Sequence, residues 1–87
     1  MIIHVHRRFK KRYVKLSPFL REKIDRVIML FEQTPFAPSL CNHALVGALK
    51  DKRAISVTSD IRIIYEMEGE HAVVLFLDVG RHGQVYK

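Results

Sequence analysis

Seven residues carry the types that cleave RNA without a metal: His43 and, in the last third of the chain, Arg53, Asp60, Arg62, Arg81, His82 and Tyr86. Attack by a ribose 2′-OH on its own phosphodiester needs a base for the hydroxyl proton, cations for the charged phosphorane and an acid for the departing 5′-oxygen. His82 can exchange a proton near neutral pH, its unperturbed pKa being about 6.5. Arg81 beside it disfavours the protonated form, whereas a bound phosphate favours it. Arg62 and Arg53 present planar forks to phosphate oxygens. Asp60 can accept a proton or orient a cation, and Tyr86 can stack on a base. The same set also fits a solvated sheet rim with no chemistry. No Ser/His/Asp order, Gly-rich phosphate loop or Cys/His cluster offers a competing reaction.

The elements that must position these groups are short. Residues 53–57, 61–65 and 72–79 are rich in β-branched and aromatic types, and Glu68-Gly69-Glu70 supplies a hairpin loop, so a three-stranded meander is expected. The run AVVLFLDV at 72–79 is nearly unbroken in its apolar character and predicts an interior strand. Residues 2–6, IIHVH, alternate as a first strand, with Ile3 and Val5 on one face and His4 and His6 on the other. Two histidines at that spacing could ligate a metal, but no third ligand is near, and no metal is expected. From Arg7 the period becomes helical: Phe9, Tyr13 and Leu16 recur among Arg8, Lys10, Lys11, Arg12 and Lys15. Ser17-Pro18 is a start signal for a second helix, whose stripe Leu20, Ile24, Val27, Ile28 and Phe31 ends at Thr34-Pro35. Residues 35–52 hold Pro35, Pro38 and Gly47 and read as a connecting loop, with Leu40, Leu45 and Leu49 as anchors and His43 at the sheet edge.

The predicted fold is therefore α+β: an N-terminal strand, then a two-helix hairpin on one face of a small twisted sheet completed by the C-terminal antiparallel meander. Eighty-seven residues suit one domain and one small core. No apolar run approaches a membrane span or a signal peptide, and the lone Cys41 suits a reducing compartment, so a cytoplasmic protein with no membrane partner is expected. The net charge of +6 is polarised. Residues 1–26 hold nine Lys or Arg against two acids, while residues 27–87 hold six against seven. That N-terminal field favours a polyanion, either nucleic acid or an acidic protein segment.

Taken together, Leu40-x-x-His43-x-Leu45-x-Gly47, Arg53-Ala-Ile-Ser-Val57, Asp60-Ile-Arg62-Ile-Ile-Tyr65, Val79-Gly80-Arg81-His82 and Val85-Tyr86 resemble the RelE/ParE superfamily of bacterial toxins, most closely its YafQ-type branch. The resemblance spans the whole chain. It implies a type II toxin, an mRNA endoribonuclease that acts on translated mRNA at the ribosome, uses no cofactor and is silenced by a cognate antitoxin, in a complex that can be a higher-order hetero-oligomer. It implies His82 as the catalytic acid, His43 or Asp60 as the base, Arg62 as the charge clamp and Tyr86 as the terminal aromatic. Arg53, Arg81, Lys50, Lys52, Arg8, Lys11, Arg12 and Lys15 are the expected RNA contacts, the N-terminal four to ribosomal RNA. Two positions depart from the pattern: Ser56 stands where the branch carries a strand histidine, and Ile61 where it carries tryptophan. The superfamily also holds ParE-like toxins that inhibit DNA gyrase by binding alone, and a degenerate toxin that only binds its antitoxin fits the missing histidine.

Overall fold

The structure is a computed structural model that describes residues 1–86. Strand β1 (Ile2–Val5) runs into helix α1 (Arg7–Tyr13), and helix α2 (Pro18–Gln33) follows after a four-residue connection. Ser17 caps α2 as expected, its Oγ accepting the Leu20 N–H at 3.2 Å, with Pro18 at the first helical position. Helix α1 stops at Tyr13, three residues short of Leu16, and Arg21 of α2 braces the connection that follows, its guanidinium donating to Leu16 O at 2.7 Å and to Val14 O at 3.3 Å. Thr34 closes α2, one residue before Pro35.

The sheet has five strands, not the four expected. Residues 35–52 contribute β2 (His43–Ala44) between single 3₁₀ turns at Pro38–Leu40 and Gly47–Leu49, and then come β3 (Arg53–Ser56), β4 (Ile61–Glu68) and β5 (Val73–Arg81). A two-residue strand carrying His and Ala leaves no periodic trace. The order is β1-β5-β4-β3-β2, with β1 parallel to β5 and all other pairs antiparallel. The apolar β5 is interior, as its composition predicts, and β4 lies at the centre. A last helical turn, α3 (His82–Val85), replaces the simple strand end expected there.

Both helices cover one face. Phe9, Ile24 and Phe31 pack on Ile55, Ile61, Ile63, Tyr65, Val74, Phe76 and Val79, with the Phe9 and Phe76 rings stacked at 5.7 Å. The opposite face holds a smaller cluster, Ala54, Ile64 and Val85, flanked by Leu45, Leu77 and Tyr86. A bulge sets the boundary between them. Tyr65 pairs with Phe76 but Ile64 pairs with Asp78, so Leu77 is an extra residue and the parity of β5 inverts beyond it. Val79 thereby returns to the helix side, and Asp78 turns toward the smaller cluster.

Candidate active site

Strand register builds the site on the face that the two long helices leave open. His43, Ala54, Ile64 and Asp78 are successive partners across four strands, and Ser56, Arg62 and Gly80 form the neighbouring row. Side chains in a row share a face. Over this face opens a cleft of about 480 Å³ lined by His43, Leu45, Val46, Ala48, Leu49, Arg62, His82 and Tyr86. Four of the five predicted catalytic residues therefore meet in one cavity. His43 enters from the edge strand β2 and His82 from beyond the end of β5, with β3 and β4 between them.

His43 lines the cleft with its ring in a defined tautomer. Its Nδ1 lies 2.8 Å from the Cys41 carbonyl oxygen. A carbonyl only accepts, so the neutral ring carries its proton on Nδ1 and keeps the lone pair on Nε2. The bond requires a sharp local turn, which Cys41 supplies in the left-handed region at φ 48°.

Arg62 is held by its Nη1, which donates to Thr58 O at 2.7 Å and Ile61 O at 3.2 Å across the β3–β4 turn. His82 and Tyr86 lie one turn apart on α3, their ring centroids 4.3 Å apart in an edge-on contact. Burial raises the Tyr86 phenol above its usual value and the nearby Arg62 charge lowers it, leaving a neutral hydroxyl at pH 7. The turn that carries His82 packs closely on Gly80. Gln84 Oε1 folds back to accept the Arg81 N–H at 2.9 Å, and a Cβ on Gly80 would stand 2.6 Å from that oxygen.

Asp60, the other candidate base, lies outside the cleft. It accepts from Arg81 Nη1 at 3.1 Å and from Thr58 Oγ1 at 3.0 Å, tying the start of α3 to the β3–β4 turn. Arg81 is thereby engaged as well. Arg53 faces the helix side with Ile55 and Val57; its Nε donates to Asn42 Oδ1 at 2.8 Å and its guanidinium lies over the Phe36 ring. Lys50 is exposed and is not among the residues lining the cleft, while Lys52 approaches Glu66 at 3.7 Å.

The N-terminal cations line a second cleft, of about 540 Å³, between α1 and α3: Arg8, Lys11, Arg12 and Lys15 with His6, Arg7 and Gln84. A smaller cavity of about 210 Å³ shares His6 and Arg8 with it and Leu49 with the cleft over the sheet, so it lies between the two. Its floor includes Asp78, whose Oδ1 meets Arg12 Nε at 3.0 Å and accepts the Val79 N–H at 2.9 Å. Sequence reasoning missed Asp78 and Gln84. It also missed the apolar wall of Leu45, Val46 and Leu49, although Leu45 and Leu49 are legible as anchors.

A small α+β domain with two helices on one face of a five-stranded mixed sheet and a cleft on the other has the RelE/ParE type of fold. The profile of the family described as "Bacterial toxin of type II toxin-antitoxin system, YafQ" matches residues 1–87, and the chain belongs to that family. Its fold is similar to YafQ from E. coli strain BL21(DE3), with 21% identity, a TM-score of 0.79 and coverage of 98% of this chain and 97% of that one. It is similar to the YoeB/ParE toxin from Agrobacterium tumefaciens, with 20% identity, a TM-score of 0.78 and coverage of 94% and 99%. A chain of the E. coli DinJ-YafQ toxin-antitoxin complex matches with 22% identity, a TM-score of 0.76 and coverage of 98% and 96%. No curated protein matches the sequence. Among the described residues no helix is long and apolar enough to cross a membrane.

Proposed function

We propose that this toxin is an mRNA endoribonuclease that cuts by 2′-OH attack, with His43 as the base and His82 as the acid. His43 Nε2 takes the hydroxyl proton as the 2′-oxygen bonds to phosphorus. Arg62 neutralises the charge gathering on the phosphorane oxygens. His82, in its imidazolium form, gives its proton to the 5′-oxygen as the P–O bond breaks, leaving a 2′,3′-cyclic phosphate and a 5′-hydroxyl. Tyr86, neutral and against His82, packs on a base or the ribose. The observation that carries this reading is the His43 Nδ1–H bond to Cys41 O, which directs a basic nitrogen away from its own backbone. Asp60, already holding Arg81, acts as a positioning group.

The basic groove near the cleft supports a long nucleic-acid track, with Arg8, Lys11 and Lys15 on ribosomal RNA or flanking mRNA. An antitoxin with an acidic segment would satisfy the same field. The E. coli DinJ-YafQ complex supports such a partner for this chain. Translated mRNA places the activity in the cytoplasm.

Brief expression followed by primer extension on a reporter mRNA tests the proposal, beside His82→Ala and with translation blocked in a parallel culture. Discrete cuts in frame with codons are expected, reduced about 10²- to 10⁴-fold in the mutant and absent from untranslated message. Intact mRNA in growth-arrested cells would instead mark a toxin that acts by binding, as a gyrase inhibitor does.

A further inference from the structure

Behind the loop that carries His43 lies a partly buried chain of hydrogen bonds that the proposed reaction does not touch. Asn42, the residue before His43, uses its amide fully: Nδ2 donates to Pro35 O at 2.8 Å and to Tyr65 Oη at 2.7 Å, and Oδ1 accepts from Arg53 Nε at 2.8 Å. Tyr65 Oη lies 2.8 Å from His71 Nε2. Tyr65 is 0% exposed and His71 8%. The Tyr65 oxygen accepts the Asn42 proton, and with His71 Nε2 as acceptor its own proton is satisfied as well, which gives one consistent direction of donation from Arg53 Nε through Asn42 and Tyr65 to His71.

The chain joins four places distant in sequence. Pro35 opens the loop, Asn42 stands in its catalytic end, Arg53 and Tyr65 come from β3 and β4, and His71 closes the β4–β5 hairpin at φ 73°. Its side chains lie on the helix side of the sheet, where the Phe31 ring packs on Tyr65 at 4.9 Å and on His71 at 5.7 Å, whereas His43 faces the cleft. Between Cys41, whose carbonyl holds His43 Nδ1, and His43 itself there is only Asn42. We infer that Asn42, held by Tyr65 and His71, is a positioning residue that fixes the Cys41 carbonyl and thereby the tautomer and direction of the His43 ring. The inference rests on His43 being the base, but its structural half stands without it.

The loop is also held upstream by Leu40, buried in the core, and by the Cys41 N–H bond to Pro38 O. Beyond Cys41 in the left-handed region, His43 and Ala44 form only a two-residue strand at the sheet edge, so the Asn42 bonds are the side-chain restraint nearest to His43. Fixing it from behind is what pre-organises a base for attack.

The test compares the full-length protein with Asn42→Asp, Asn42→Ala and Tyr65→Phe. Asn42→Asp keeps the shape and the Arg53 contact but loses both donors. Tyr65→Phe keeps the packing and removes only the hydroxyl. Two readouts are taken: the ¹⁵N chemical shifts of the His43 ring, which report where its proton sits, and single-turnover cleavage. The native ring is expected to show the Nδ1–H form, and the variants a mixture. Their kcat is expected to fall about 10- to 100-fold with KM within about twofold. An unchanged His43 signature in folded variants overturns the inference, even if the variants cut more slowly, since the slowing would then come from general loosening. If the native protein does not cut RNA at all, the ribonuclease reading fails and the ¹⁵N shifts alone decide whether Asn42 positions His43.

Discussion

Arg12 Nε lies 3.0 Å from Asp78 Oδ1, and the carboxylate is the buried partner, its side chain 8% exposed against 32% for the arginine. The bulge at Leu77 turned Asp78 onto this face, so the acid needs a cation there. Arg12 is therefore structural before it is a nucleic-acid ligand. Arg12→Ala removes the ion pair of a buried carboxylate and leaves it the Val79 N–H bond, with Arg8 and Lys52 farther along the same cavity. Urea denaturation should show a loss of about 2–4 kcal/mol. Arg8→Ala and Lys11→Ala, on the exposed side of the same helix, should stay within about 0.5 kcal/mol of the native protein. Equal losses in all three would mean that Asp78 is already satisfied without Arg12.

That division of labour leaves three N-terminal cations for the RNA contact proposed above. Arg8, Lys11 and Lys15 line the second cleft and take part in none of the ion pairs among the described residues, in contrast to Arg12. Replacing these three together by alanine should weaken binding of a single-stranded RNA and lower the slope of log K against log salt by about 0.7 for each phosphate no longer neutralised. The fold should survive, so far-UV circular dichroism is the control. A slope identical to that of the native protein would move the docking surface off α1.

Within the site, Arg62 is the group for which shape matters more than charge. Its Nη1 is anchored to two carbonyls of the β3–β4 turn, so the guanidinium plane is set before the phosphate arrives. Arg62→Lys preserves the charge but cannot both hold that turn and offer a second donor in a fixed plane. Cleavage should fall about 10²-fold or more, with little change in RNA affinity. Comparable rates in Arg62→Lys and the native protein would reduce Arg62 to a source of potential.

Much of the frame was legible in the sequence because local rules and packing agree there. Ser17-Pro18 starts a helix on its own chemistry, and the alternation Ile61, Ile63, Tyr65 marks the face that the helices cover. The same alternation places Arg53 with Ile55 and Val57 on the covered face, so its absence from the cleft follows from strand parity, which outweighs the appeal of its charge. Asp78 defeats that rule. Only the unpaired Leu77 puts it on the open face, and a bulge has no signature in a run of apolar residues. Asn42 and His71 were illegible for another reason: their meaning lies in partners up to 23 residues away, and polar residues beside prolines and glycines read as ordinary turns. His43 and His82 come together only through the order β5-β4-β3-β2, in which the two-residue β2 is the decisive and least visible strand.

His71 should make the protein's stability depend on pH. Burial lowers its pKa from the ordinary 6.5, and the charge of Arg53 lowers it further against a smaller opposing effect of the Glu70 backbone. The groups packed around it are the Tyr65 hydroxyl, the Phe31 and Phe36 rings and, as the nearby charge, Arg53. With a folded pKa below the unfolded one, the unfolded chain binds the proton more readily. The contribution of neutral His71 is therefore fully present above pH about 6.5 and is lost as pH falls from there through the folded value. Protonation at Nε2 would also face the Tyr65 oxygen with two donors and strand the tyrosine proton in the core. Asparagine tolerates the left-handed backbone at this position, so His71→Asn keeps the hairpin while removing the titration. Between pH 7.5 and 5 the native protein should lose denaturation free energy faster than His71→Asn, the two curves converging toward acid. Parallel curves would show that His71 enters the folded state with no change in proton affinity, and the hydrogen-bond direction assigned to Tyr65 would have to be reversed.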